Sequence, residues 1–112
     1  MAGTAVYKKD HTTRMTVLAL TEVNGVDTPL DLSAASIEVK LQPAGQPSGA
    51  VVTLTLGSGV ALGGDTGEFT YDVTVPNLAT LGNPDQVNTT INVWDMNNVL
   101  LVTGTGVINV SL

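Results

Sequence analysis

His11 is the only histidine in the 112 residues, and the one side chain with an ordinary pKa near neutrality. A serine triad built on it would need a strained Gly-x-Ser-x-Gly elbow, and the sequence holds none. His11 also sits among Lys8, Lys9 and Arg14 near the chain start, where a surface histidine is the expectation. Asp65 with Glu68 or Asp72 could form the carboxylate pair of a glycosidase. That chemistry also needs a sugar cleft lined by rings, and the chain has one Trp, two Tyr and one Phe. Asp27 with Asp31, or Asp85 with Asp95, could share a calcium ion, but the Asp-x-Asp-x-Asp-Gly spacing is missing. The Gly63–Gly67 stretch lacks the lysine and the following helix of a phosphate loop. There are no cysteines, so thiolate metal sites, cysteine nucleophiles and disulfides are excluded. The expectation is a protein with no catalytic residues, no cofactor and no metal.

The elements that would position any site are strands. The length suits a single domain, residues 1–112, with residues 1–12 expected as a flexible terminal segment. Hydrophobic residues make up 43% of the chain and charged ones only 12%, the balance being rich in Gly, Thr, Asn and Ser, a mixture of strand and turn formers. No apolar h-region opens the chain and no apolar run would span a bilayer, so a soluble, cytosolically made protein is expected, with no membrane partner. The net charge is −6; residues 8–14 carry +2 and the remainder −8. A negative body argues against nucleic acid, which is bound through clustered Lys and Arg. The basic segment could dock on an acidic neighbour or simply be solvated.

Period-2 runs broken by turn residues predict an all-β fold, an immunoglobulin-like Greek-key β-sandwich of about seven or eight strands. The runs are Thr4–Lys9, Thr13–Val23, residues 36–41, residues 52–56, a short piece at 60–62, residues 68–75, residues 87–93, and 99–103 continuing to 108–112. Asn24-Gly25 marks a tight turn, and Gly104-Thr105-Gly106 predicts a bulge or bend. A single helical turn is expected within Leu78–Leu81.

Half-exposed strands should alternate, yet Met15–Leu20 and Val99–Val102 are apolar on both faces. Trp94 is out of phase with Val87, Ile91 and Val93, and Val107 with Ile108 and Val110. Such a surplus marks either a partner surface or strands covered by loops such as 76–86. The expected interface residues are Lys8, Lys9, Arg14, Leu18, Leu20, Trp94, Leu100, Val102 and Val107.

Asn24-Gly25-Val26-Asp27-Thr28-Pro29-Leu30-Asp31-Leu32 followed by the Ala35–Leu41 strand resembles the Pro-x-Asp-Leu signature of immunoglobulin-like phage virion domains. The N-terminal domain of the phage baseplate upper protein family is an example. Gly67-Glu68-Phe69-Thr70-Tyr71 resembles that family's Gly-x-Tyr/Phe-x-Tyr strand, and Trp94–Val99 with Thr103–Gly106 resembles its final hairpin. The resemblance implies a virion protein made in the host cytoplasm, with other virion proteins as partners, such as the major capsid protein or tail and baseplate proteins. It implies many copies or a homo-oligomer on the particle. Because the chain lacks the C-terminal extension of the larger baseplate proteins, a capsid decoration (cement) protein is the leading expectation. A tail, baseplate or fibre accessory protein comes second, and a carbohydrate or cell-surface binding module third.

Overall fold

The computed structural model describes residues 4–8, 13–45, 50–82 and 84–111. Ten strands and one short helix follow in chain order: β1 Thr4–Lys8, β2 Thr13–Leu18, β3 Leu20–Val23, β4 Val26–Pro29, β5 Ser36–Pro43, β6 Val52–Leu56, β7 Gly59–Leu62, β8 Glu68–Val73, α1 Val75–Thr80, β9 Gln86–Trp94 and β10 Leu100–Ser111. Eight strands form one sheet in the order β1-β10-β9-β5-β6-β7-β8-β2, and β3 pairs only with β4. The protein is mostly β, and its main sheet curls into a half-barrel without dividing clearly into two layers. The expected seven or eight strands become ten because one apolar run splits and a proline-limited segment pairs.

The split is at Ala19. Residues 13–18 pair with β8, while residues 20–23 leave the sheet and fold back through Asn24-Gly25 onto β4. Both turn residues have positive φ, +52° and +79°, as a two-residue hairpin turn of this hand requires. Ala19 is the pivot. Its N–H donates to the Gly67 carbonyl at 2.8 Å, and its own carbonyl accepts from the Leu30 N–H at 2.9 Å.

Strict alternation marks the central strands. β5 buries Ile37, Val39, Leu41 and Pro43; β8 buries Phe69, Tyr71 and Val73; β9 buries Val87, Thr89 and Val93. The first helical turn begins earlier than expected, at Val75, which is exposed and opens α1. Thr74 caps it: the Asn77 N–H donates to Thr74 Oγ1 at 3.2 Å and the Thr74 N–H to Asn77 Oδ1 at 3.0 Å. Pro76 fits because the first turn needs no N–H from it. Leu78 and Leu81 from this segment are buried in the core. The expected irregularity at Gly104–Gly106 falls elsewhere. Gly104 and Gly106 pair in register with Ile91 and Thr89, and the shift lies between Leu100 and Val102.

On the outer side of β2 and β8, Arg14 is opposite Asp72 and grips it with two bonds, Nε to Oδ1 at 2.9 Å and Nη2 to Oδ2 at 3.2 Å. The hydrogen bond and positive charge of Arg14 hold the Asp72 carboxyl below the ordinary carboxylate range. A depressed folded pKa contributes stability above the unfolded value of about 4, lost as pH falls through the folded value. Arg14→Ala is therefore expected to bring the Asp72 titration, followed by carboxylate NMR, back toward pH 4. It should also flatten the acid limb of the stability curve by slightly lowering stability near pH 7, while leaving it unchanged at pH values below the folded Asp72 pKa.

Candidate functional site: an apolar cleft between two strand edges

β2 ends the sheet order, so among the described residues one of its edges has no strand partner. β9 pairs β10 from Leu100 to Asn109, but β1 covers its other edge only from Val107 to Ser111. Among the described residues, positions 100–106 of β10 therefore also present a strand edge. The curl of the sheet brings the two edges to face a common cleft of about 700 Å³. Met15, Val17, Ile91, Val93 and Val102 contribute apolar side chains to its lining, and Leu18 and Leu20 lie along β2 and its exit into β3.

A buried polar pair interrupts this largely apolar lining. Tyr71 and Thr89 both line the cleft, and both are buried. Burial raises the Tyr71 phenol above its ordinary pKa, and a hydrogen bond with Thr89 acts in the opposite sense. Tyr71→Phe is expected to cost about 1–3 kcal/mol in urea denaturation, because it leaves the Thr89 hydroxyl buried and unmatched. The double variant Tyr71→Phe/Thr89→Val should recover most of that loss. A double-mutant cycle measures the difference.

The expected interface residues fall into separate groups. Leu18, Leu20 and Leu100 are exposed, at 54%, 40% and 50%. Helix α1 and its neighbours bury Leu78 and Leu81 in the core, yet these three leucines stay in contact with solvent. Val102 is half-buried against the core, and Val107 is half-buried opposite Asn88. Trp94 is half-buried, paired with Ser36 on one side and Leu100 on the other, one residue out of phase with buried Val93. Arg14 is exposed but engaged by Asp72 on its own chain. Lys9, like His11, lies outside the described residues, and so does the side chain of Lys8.

Two features escaped the sequence reading. Val23, Val26 and Met96 are exposed, so the apolar surface extends beyond the expected Val99–Val102 stretch over both hairpin tips. Glu22 and Asp27 lie directly opposite each other on β3 and β4, an arrangement that repels in an antiparallel pair. The Glu22–Asp27 opposition was not visible before the pairing of 20–23 with 26–29 was known.

Three of the carboxylates considered for chemistry, Asp31, Asp72 and Asp95, serve turns and an ion pair. Asp31 Oδ1 accepts from the Ser33 N–H, which keeps the Asp31 pKa below its ordinary value. Asp95 Oδ1 accepts from the Asn97 and Val99 N–H groups at 2.8 and 3.0 Å and so closes the β9–β10 turn. Among the described residues, no group of three His, Cys, Asp or Glu is placed to hold a metal ion, and no helix is long and apolar enough to cross a membrane. Comparison with protein-family models and with curated proteins finds no match.

Proposed function

We propose that this chain is a non-catalytic structural protein of a bacteriophage particle, an immunoglobulin-like module that decorates the assembled head and holds its neighbours there. The observation that carries the adhesive reading is the cleft between two strand edges, lined in part by exposed Leu18 and Leu20, with Leu100 also left in solvent at the start of β10. If each leucine loses about 60–100 Å² to a neighbour, the transfer free energy is about 5–7 kcal/mol before association costs. One such contact is weak. Repetition over a symmetric shell makes it strong, because each further contact forms at high effective concentration.

Strand neighbours support the immunoglobulin-like part. With β2 as B, β5 as C, β7 as D, β8 as E, β9 as F and β10 as G, the pairings β2–β8–β7 and β5–β9–β10 match the B–E–D and C–F–G neighbours of that fold. The turn at Gly57-Ser58 joins the two halves through the brief β6–β7 pairing. The first strand departs from the constant-type layout by lying on β10 and not on β2. The phage assignment rests on the motif resemblance of the Asn24–Leu41, Gly67–Val73 and Trp94–Gly106 segments.

Quantitative mass spectrometry of purified virions, with a particle map, tests this reading. The expected result is hundreds of copies on the head. A tail or baseplate position with a handful or dozens of copies would transfer the protein to the second reading, which the same motifs support. Absence from the particle refutes both. The carbohydrate reading predicts glycan binding that disappears in Trp94→Ala while the fold survives.

A further inference from the structure

We propose that the cleft receives an extended strand from a partner protein, with alternating apolar side chains and lysine or arginine at its ends, which pairs along the edge of β2. The inference rests on the reading of the chain as an adhesive module and adds the chemistry of what it binds. Backbone geometry supports strand addition: among the described residues β2 offers a row of N–H and C=O groups with no strand partner, and positions 102–106 of β10 face it across the cleft. The lining supports alternation. A strand laid there would turn every second side chain toward Met15, Val17, Ile91 and Val102, and the others toward solvent.

Charge selects the ends. Leu20 lines the cleft, and Glu22 and Asp27 lie on the same side of the β3–β4 hairpin as Leu20 and Pro29, because the side-chain period is two. Two opposed carboxylates thus stand beside the cleft mouth. The two cations whose side chains are described, Arg14 and Lys40, are held by Asp72 and Glu38. A cationic flank on the incoming strand would relieve the repulsion between Glu22 and Asp27. A second copy of this chain brings a body with net charge −8 outside residues 8–14 and is disfavoured there.

The test uses the full chain and two synthetic peptides, each alternating Val and Thr over about seven residues. One has two lysines at each end and the other two glutamates. Titration is followed by calorimetry and by amide exchange. The lysine-flanked peptide is expected to bind at least about tenfold more tightly than the glutamate-flanked one and to slow exchange in residues 13–18. Glu22→Lys/Asp27→Lys changes only exposed side chains and should invert the preference. Leu18→Glu, also at an exposed position, should weaken both peptides. Equal affinity for the two peptides, or binding that leaves exchange in residues 13–18 unchanged, overturns the proposal. So does self-association of the chain through the same edge. If the peptides fail while virions still carry the protein in many copies, the strand-addition inference falls and the structural role stands.

Discussion

Phe69→Ala should lower the unfolding free energy by about 3–5 kcal/mol, a large share of the 5–15 kcal/mol typical of a whole domain. Phe69 is the largest side chain with no exposed surface, and it is the only phenylalanine in the chain. It stands between Val17 of β2 and Leu62 of β7 in the sheet register and faces inward with Tyr71 and Val73. Removing the ring leaves a cavity in the core cluster that Phe69 shares with Tyr71 and Val73 and against which Val17 packs. Because Phe69 also borders the cleft, neighbouring side chains have room to relax, which favours the lower end of the range. Phe69→Leu keeps most of the volume and should cost less than about 1.5 kcal/mol. Urea denaturation of the two variants gives both values. A loss below about 1 kcal/mol for the alanine variant would mean that the ring does not anchor this core.

Gly67→Ala is the second large effect, expected at about 2–4 kcal/mol. Gly67 is buried with φ of +80°, a conformation that costs an L side chain roughly 1–2 kcal/mol. A Cβ there would lie 2.7 Å from the Ala19 carbonyl oxygen, 3.1 Å from the Leu30 nitrogen and 3.1 Å from Pro29 Cβ. These are the atoms of the pivot that sends β3 and β4 away from the sheet. The clash should stretch the Ala19–Gly67 and Leu30–Ala19 hydrogen bonds, each worth about 1 kcal/mol. Faster amide exchange at Ala19 and Leu30 is the local signature. Gly64→Ala is the control: nothing lies within 4 Å of the added Cβ, and its φ is not in the left-handed range. It should be neutral or stabilising by up to about 1 kcal/mol.

Particular residues show how far each level was legible. Ile37, Val39 and Leu41 alternate with polar residues, and β5 buries those three and Pro43. Phe69, Tyr71 and Val73 behave in the same way in β8. Asn24-Gly25 is a turn because its residues tolerate positive φ, a local property that survives any packing. Val75 continues the alternation of β8 in the sequence, yet the Thr74 cap with Asn77 outweighs it and starts a helix. Thr13–Val23 looked continuous because nothing local in the run signals a break. The break depends on Gly67, almost fifty residues away, whose carbonyl takes the Ala19 N–H.

The candidate site was half legible. Doubled apolar faces in Met15–Leu20 and Val99–Val102 pointed to the strands that border the cleft. Which of those side chains remain in solvent was not readable. Met15 and Val17 pack against the core while Leu18 does not, and Val102 packs while Leu100 does not.

Alternation, turn residues and the absence of cysteine determined by themselves that the chain is β-rich, where most strands run, and that thiolate chemistry is impossible. These are local or compositional properties, carried by each residue wherever it is placed. Tertiary structure alone decided that eight strands curl into one sheet, that among the described residues β2 and part of β10 are left with unpaired edges, and that Glu22 meets Asp27. Those outcomes depend on which strands pair across long stretches of chain, and pairing is chosen by the packing of the whole core, not by any single segment.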